Sequence, residues 1–134
     1  SEPITVHLRR LKKQVNELEL EQFESIFFDF DKSDILSKYK EKLDKLIKFL
    51  NKYPQVSVEL SSYTDCRGSD SYNLGLSNRR NKSVVNYIKS RIKNSERVYG
   101  KGYGEKNSLG KNSCFKTSET EHQKNRRTDF KLKL

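Results

Sequence analysis

Tryptophan and methionine are absent from this chain, and proline, cysteine and histidine occur only twice each. With six glycines beside those two prolines, the composition excludes a collagen-like chain or a proline- and glycine-rich low-complexity segment. Long apolar runs are missing too: the longest, Ile26 to Phe28, falls far short of the roughly 20 residues that a membrane-spanning helix needs. No signal-peptide pattern opens the chain, and with Ser1 in place of an initiator Met it fits a processed or excised piece of a longer protein. Cys66 and Cys114 show no CxxC spacing and have only His7 and His122 as other soft donors, which argues against a zinc site. The two cysteines either pair in an oxidising compartment or stay unrelated thiols.

The absences extend to catalysis. There is no GxSxG nucleophile turn, no HExxH pair and no Walker loop, and no two carboxylates share an element with a plausible acid or base. A thiol enzyme would have to bring Cys66 and His122 together from separate loops. A non-enzymatic domain with no cofactor is the expectation.

What the chain does have is positive charge, 28 Lys and Arg against 18 Asp and Glu, a formal net charge of +10. That balance suits any polyanion, whether nucleic acid, anionic lipid or an acidic cell-wall polymer, and does not choose among them. Only 32% of residues are hydrophobic. Leu, Ile, Val and Phe nevertheless make up about a quarter of the chain, above the range of under roughly 20% that marks disorder. At 134 residues it is one domain, long enough to bury about two thirds of its unfolded surface.

Two periods compete before residue 25: Ile4, Val6 and Leu8 alternate as in a strand, while Leu8, Leu11, Val15 and Leu18 recur as on a helix. Ile26 to Phe30 is a short β-prone run, punctuated by Asp29, Asp31 and Asp34. From Ser37 to Lys52, Tyr39, Leu43, Leu46, Ile47 and Leu50 line one helical face, and Pro54 stops it. Val56, Val58 and Leu60 alternate as a half-buried strand, followed by a helix from about Ser71 to Ile92. Arg97 to Tyr103 reads as a third strand, Gly104 to Lys124 as a polar loop, and Phe130, Leu132 and Leu134 alternate in a last strand. The predicted class is α/β, an α+β sandwich of order β-α-β-α-β-β with a mixed sheet against helices.

The run from Ser62 to Arg80, SYTDCRGSDSYNLGLSNRR, forms the corner between the second strand and the second helix. Asp65 lies just past the strand's carboxyl end, and Asn73 and Arg80 stand two turns apart on one helix face. Arg80 falls inside the apolar stripe between Leu76 and Val84, so it needs a partner: Asp65, Asp31 or a ligand anion. Either Asp65 and Arg80 neutralise each other, or they present a carboxylate and a guanidinium, beside a helix N-terminus, to a zwitterion. In the second case alanine at either position should leave the fold largely intact. A rival reading as a nucleic-acid-binding domain rests on KGYG at Lys101 to Gly104, which opens like an RNA-recognition strand but continues as Glu105, Lys106, Asn107 and Ser108, without the further aromatics.

The corner resembles the OmpA-like peptidoglycan-binding domain of outer-membrane porins, the peptidoglycan-associated lipoprotein and flagellar stator proteins. Thr64, Asp65, Gly68, Asn73, Leu76, Ser77 and Arg80 meet its T-D-x-x-G-x-x-x-x-N-x-x-L-S-x-x-R core, and IFFDFDKSDI, GKGYGE and HQKNRRTDF extend the likeness over most of the chain. Tyr63 departs from a usual histidine at the expected pocket rim, and Asn81 from a usual alanine behind the helix. The resemblance implies an extended, strand-like lead-in over residues 1–24 and the domain proper over 25–134. It implies non-covalent binding of the peptidoglycan stem peptide through diaminopimelate, with Asp65 taking the ammonium and Arg80 the carboxylate. Asp31, Asn73 and Arg126 would line the same pocket, and backbone groups near Thr64 and Leu76 would complete it. It further implies a periplasmic domain of an outer-membrane-associated parent, with no nucleic-acid partner. In that oxidising compartment Cys66 and Cys114 are expected to be joined.

Overall fold

The computed structural model describes Val6, residues 9–13, 25–106 and 114–134. Four strands, β1 (Ile26–Phe27), β2 (Ser57–Ser62), β3 (Val98–Gly102) and β4 (Arg127–Lys133), form one mixed sheet in the order β1-β4-β2-β3. β2 pairs in parallel with β3 and antiparallel with β4, which also pairs antiparallel with β1. The last strand thus inserts between the first two.

Among the described residues, besides a helical stretch over 9–13, the helices are α1 (Ser37–Lys52), α2 (Asp70–Lys89) and α3 (Glu119–Asn125), with 3-10 turns at Ser95–Arg97 and Cys114–Lys116. Leu43, Leu46, Ile47 and Leu50 of α1 are buried at spacings of three and four, one face of a helix. They join Val56, Val58, Leu60, Val84, Ile88, Val98, Phe130 and Leu132 in the core. Register explains the strand contribution: Val58 faces Leu132 and Leu60 faces Phe130, so buried residues meet across the β2–β4 ladder. The alternate positions point outward, where Glu59 and Lys133 pair at 3.2 Å.

α2 changes character along its length. Its buried stripe runs Asn73, Leu76, Ser77, Arg80, Asn81, Val84, Ile88, apolar towards the carboxyl end and mostly polar towards the amino end. Buried polar groups must be hydrogen-bonded, and this half of the helix lies against strand ends where carbonyls and hydroxyls are offered. Asn81 donates to the Leu60 carbonyl at 2.9 Å and to Ser62 Oγ at 3.0 Å, so its departure from alanine is satisfied by the strand behind it. Close approach there depends on Gly102, where a Cβ would stand 2.3 Å from Ser77 Oγ and 2.4 Å from the Asn78 nitrogen.

Two expectations are corrected. Residues 9–13 of the lead-in are helical rather than extended, and Leu11, 1% exposed, is drawn into the core; the remainder of 1–24 apart from Val6, also helical, lies outside the described residues. Part of the expected polar loop is α3, started by Ser118, whose Oγ accepts from the Glu121 nitrogen at 3.2 Å.

Candidate functional site

β2 runs out through Tyr63, Thr64 and Asp65 into a tight turn, and α2 begins at Asp70. Two local devices make that turn. Gly68 takes a φ of +100°, which side chains rarely tolerate, and Ser69 caps the helix by accepting from the Tyr72 nitrogen at 3.2 Å. Opposite, the segment after β1 carries Phe30 and Asp31, the latter at a φ of +57°. Between the two lies a cavity of about 240 Å³, walled by Phe30 and Asp31, by Thr64, Asp65, Arg67 and Gly68, and by Tyr72, Asn73, Leu76 and Arg80 of α2.

Arg80 is fully buried and has no carboxylate partner among the described residues. Its Nε donates to the Lys32 carbonyl at 2.8 Å, Nη1 to that of Tyr63 at 3.1 Å and Nη2 to that of Asp29 at 3.1 Å, with the guanidinium over the Phe28 ring. Each Nη thus retains a second N–H. Burial pushes the Arg80 pKa down to about 10, against the pull of the nearby Asp65 charge, so the group stays cationic at neutral pH.

Asp65, 3% exposed, is held from the other side. Its Oδ2 accepts from Arg67 Nη2 at 2.8 Å and Arg126 Nη1 at 3.3 Å, while Oδ1 accepts from the Arg67 backbone nitrogen at 3.0 Å. Burial alone would raise the Asp65 pKa, but the hydrogen bonds and charge of Arg67, with help from Arg126, outweigh it and hold the carboxyl below 3.8. Arg126 is locked by its own bond from Nε to the Phe28 carbonyl at 2.9 Å. Glu119 of α3 accepts from both arginines, at 3.2 Å from Arg67 and 3.3 Å from Arg126.

The structure brings Asp31, Thr64, Asp65, Asn73, Leu76 and Arg80 into one cavity wall. Arg126 stands behind Asp65 and orients it rather than lining the cavity. Tyr63 is not at the rim: its ring stacks on Tyr103 at 5.6 Å and lies under the Arg127 guanidinium, and only its carbonyl serves the site, by holding Arg80. Asp31 accepts a hydrogen bond from the Tyr72 hydroxyl. Thr64 Oγ1 is buried without a hydrogen-bond partner. Sequence reasoning missed Phe30, Arg67, Tyr72 and Glu119; for Arg67 the available signal was an aspartate two residues earlier, the spacing of an Asx turn.

Cys66 and Cys114 are joined, with their Cα atoms 5.6 Å apart, fastening the turn after Asp65 to the segment that leads into α3. Neither thiol is free, which overturns a thiol enzyme built on Cys66 and His122. Among the described residues no cluster of three His, Cys, Asp or Glu side chains offers a metal site, and no helix is long and apolar enough to cross a membrane.

Fold and site together define a small α+β domain with a charged cavity at a strand end. Residues 27–126 match the OmpA family, and the chain belongs to that family. It is 36% identical over 91 residues to outer membrane protein A of Salmonella typhi, a match covering 66% of this chain and 26% of that protein. It is 32% identical over 107 residues to the peptidoglycan-associated lipoprotein of Pasteurella multocida, covering 80% of this chain and 69% of that one. The crystal structure of the peptidoglycan-associated lipoprotein from Burkholderia pseudomallei shares the fold, with a TM-score of 0.73 at 24% identity over 81% of this chain and 89% of that one. The chain spans about a quarter of the length of outer membrane protein A.

Proposed function

We propose that this domain binds peptidoglycan non-covalently, through the zwitterionic end of diaminopimelate in the stem peptide. The observation that carries the reading is that Asp65 and Arg80 present opposite charges to one cavity without bonding each other. In this reading a ligand carboxylate takes the second N–H groups of Arg80, the ligand ammonium approaches Asp65, and the unpartnered Thr64 Oγ1 gains a partner. Binding of this kind involves no bond making or breaking, so no catalyst or cofactor is required. A family relative named for its association with peptidoglycan supports the polymer as partner. Relatives named for the outer membrane support a periplasmic domain whose parent is tethered to the wall.

The residues behind the nucleic-acid reading have other work. Gly102 sits against Ser77 and Asn78, the Gly104 nitrogen donates to Ser77 Oγ at 2.8 Å, and Tyr103 stacks on Tyr63. Co-sedimentation with purified sacculi, beside an RNA-binding control, tests the proposal. The expected result is retention by sacculi that is competed by diaminopimelate and lost in Asp65→Asn. Retention by RNA with indifference to diaminopimelate would reverse it.

A further inference from the structure

Asp65 already accepts three hydrogen bonds, which leaves one acceptor direction, on Oδ1, for an incoming ammonium. Both lone-pair directions of Oδ2 are filled by guanidinium N–H groups, and a further cation on that oxygen would stand against two like charges. The two arginines differ in their freedom. The Arg126 side chain is 8% exposed and pinned by the Phe28 carbonyl, whereas that of Arg67 is 33% exposed, on the cavity rim. Arg67 also has a second resting place already engaged: Nη1 donates to Glu119, and the guanidinium lies 4.3 Å from the centre of the Phe30 ring. Its present position is imperfect, because Arg67 Nε is buried without a partner.

We infer that Arg67 is an internal stand-in for the ligand's ammonium, one that must swing off Asp65, pivoting on Glu119 and Phe30, before the cavity can be filled. This rests on the reading of the cavity as a zwitterion site. The inward Arg67 neutralises a desolvated carboxylate while the site is empty, at the cost of competing with the ligand. Affinity is then set by the fraction of molecules with Arg67 displaced, and Glu119 controls that fraction.

The test is calorimetric titration of a soluble diaminopimelate-containing tripeptide into wild type, Arg67→Ala, Arg67→Gln, Glu119→Gln and the Arg67→Ala/Glu119→Gln double variant. If about four fifths of wild-type molecules hold Arg67 inward, removing it tightens binding about fivefold. Once off Asp65, Arg67 keeps Glu119 as its carboxylate partner, so Glu119→Gln should weaken binding; the double variant, which also loses the Glu119–Arg126 bond, should bind more tightly than Glu119→Gln alone. The wild-type Arg67 Nε–H resonance should also shift on titration. Unchanged or weaker binding in both Arg67 variants, with the wild type still binding, overturns the gate and leaves wall binding standing. Absence of binding in every protein, wild type included, removes the zwitterion site and the gate with it.

Discussion

Arg80 and Asp65 face the same cavity and do not touch: the guanidinium donates to the carbonyls of Asp29, Lys32 and Tyr63, and the carboxylate belongs to Arg67 and Arg126. Neither sequence reading anticipated these partners. The charge inside the apolar stripe is compensated by backbone, not by a bridge, so Arg80 fastens the segment after β1 to the end of β2 as well as facing the cavity.

Arg80→Ala should therefore destabilise the fold, contrary to the expectation that alanine there is tolerated. Three charge-assisted hydrogen bonds and the buried carbonyls that receive them are lost together, for about 3 kcal/mol or more. Arg80→Lys should recover little, because an ammonium cannot reach three divergent acceptors. Urea unfolding checks this, and a midpoint matching the wild type in the alanine variant would contradict it.

Asp65 should give an acid-side signature. Its folded pKa is lowered below 3.8, so in the unfolded chain the carboxyl binds its proton at higher pH than in the folded protein. The stability it contributes is fully present above 3.8 and is lost as pH falls through the lower folded value. Melting temperatures of wild type and Asp65→Asn, measured from neutral pH downwards, should differ most at neutral pH and converge below 3.8. Other carboxylates titrate in both proteins and cancel; a gap that stays constant into acid would show that Asp65 is not held in this way.

The elements most legible in the sequence were those whose burial repeats simply. Val56, Val58 and Leu60 alternate and Leu43, Leu46, Ile47 and Leu50 recur at helical spacing because each faces one apolar core. The Thr64–Asp65 to Arg80 cavity wall was legible through the family pattern. What escaped notice depends on partners distant in sequence. Leu11 could be placed only once the core it enters was known, and α3 is too short and polar for periodicity, although Ser118 and Glu121 carry a helix-start spacing. No spacing announces that Arg80 will meet three carbonyls, or that Glu119 will meet Arg67 across 52 positions.

The Cys66–Cys114 bridge should stabilise both fold and site. It closes a span of 48 residues, which in the chain-entropy model is worth about 4 kcal/mol. It also holds the Arg67 turn near the segment that supplies Glu119. Thiol titration of unreduced, unfolded protein should find no free thiol. The Cys66→Ser/Cys114→Ser variant should unfold at lower denaturant and bind sacculi less well; equal stability would show that the bridge closes a contact that forms without it.

Thr64 gives the most discriminating test of the cavity. Its backbone nitrogen is committed to the Gly104 carbonyl at 2.8 Å, but its Oγ1 is buried and unpartnered, in a residue only 2% exposed. A hydroxyl left in that state lowers the stability of the free protein, by about 1–3 kcal/mol for a buried unsatisfied group. If the hydroxyl had no ligand to meet, its removal would gain stability and alter nothing else. If it awaits a ligand, stability and binding should move in opposite directions. Thr64→Val, close to isosteric but without the hydroxyl, should raise the unfolding free energy by about 1 kcal/mol. The same change should weaken binding of a diaminopimelate-containing peptide by about tenfold, one hydrogen bond's worth. Thr64→Ser, which keeps the hydroxyl, should retain the affinity while losing a little stability from the missing methyl. Measuring both quantities on both variants separates the two cases, and wild-type affinity in Thr64→Val would show that the cavity does not use this oxygen.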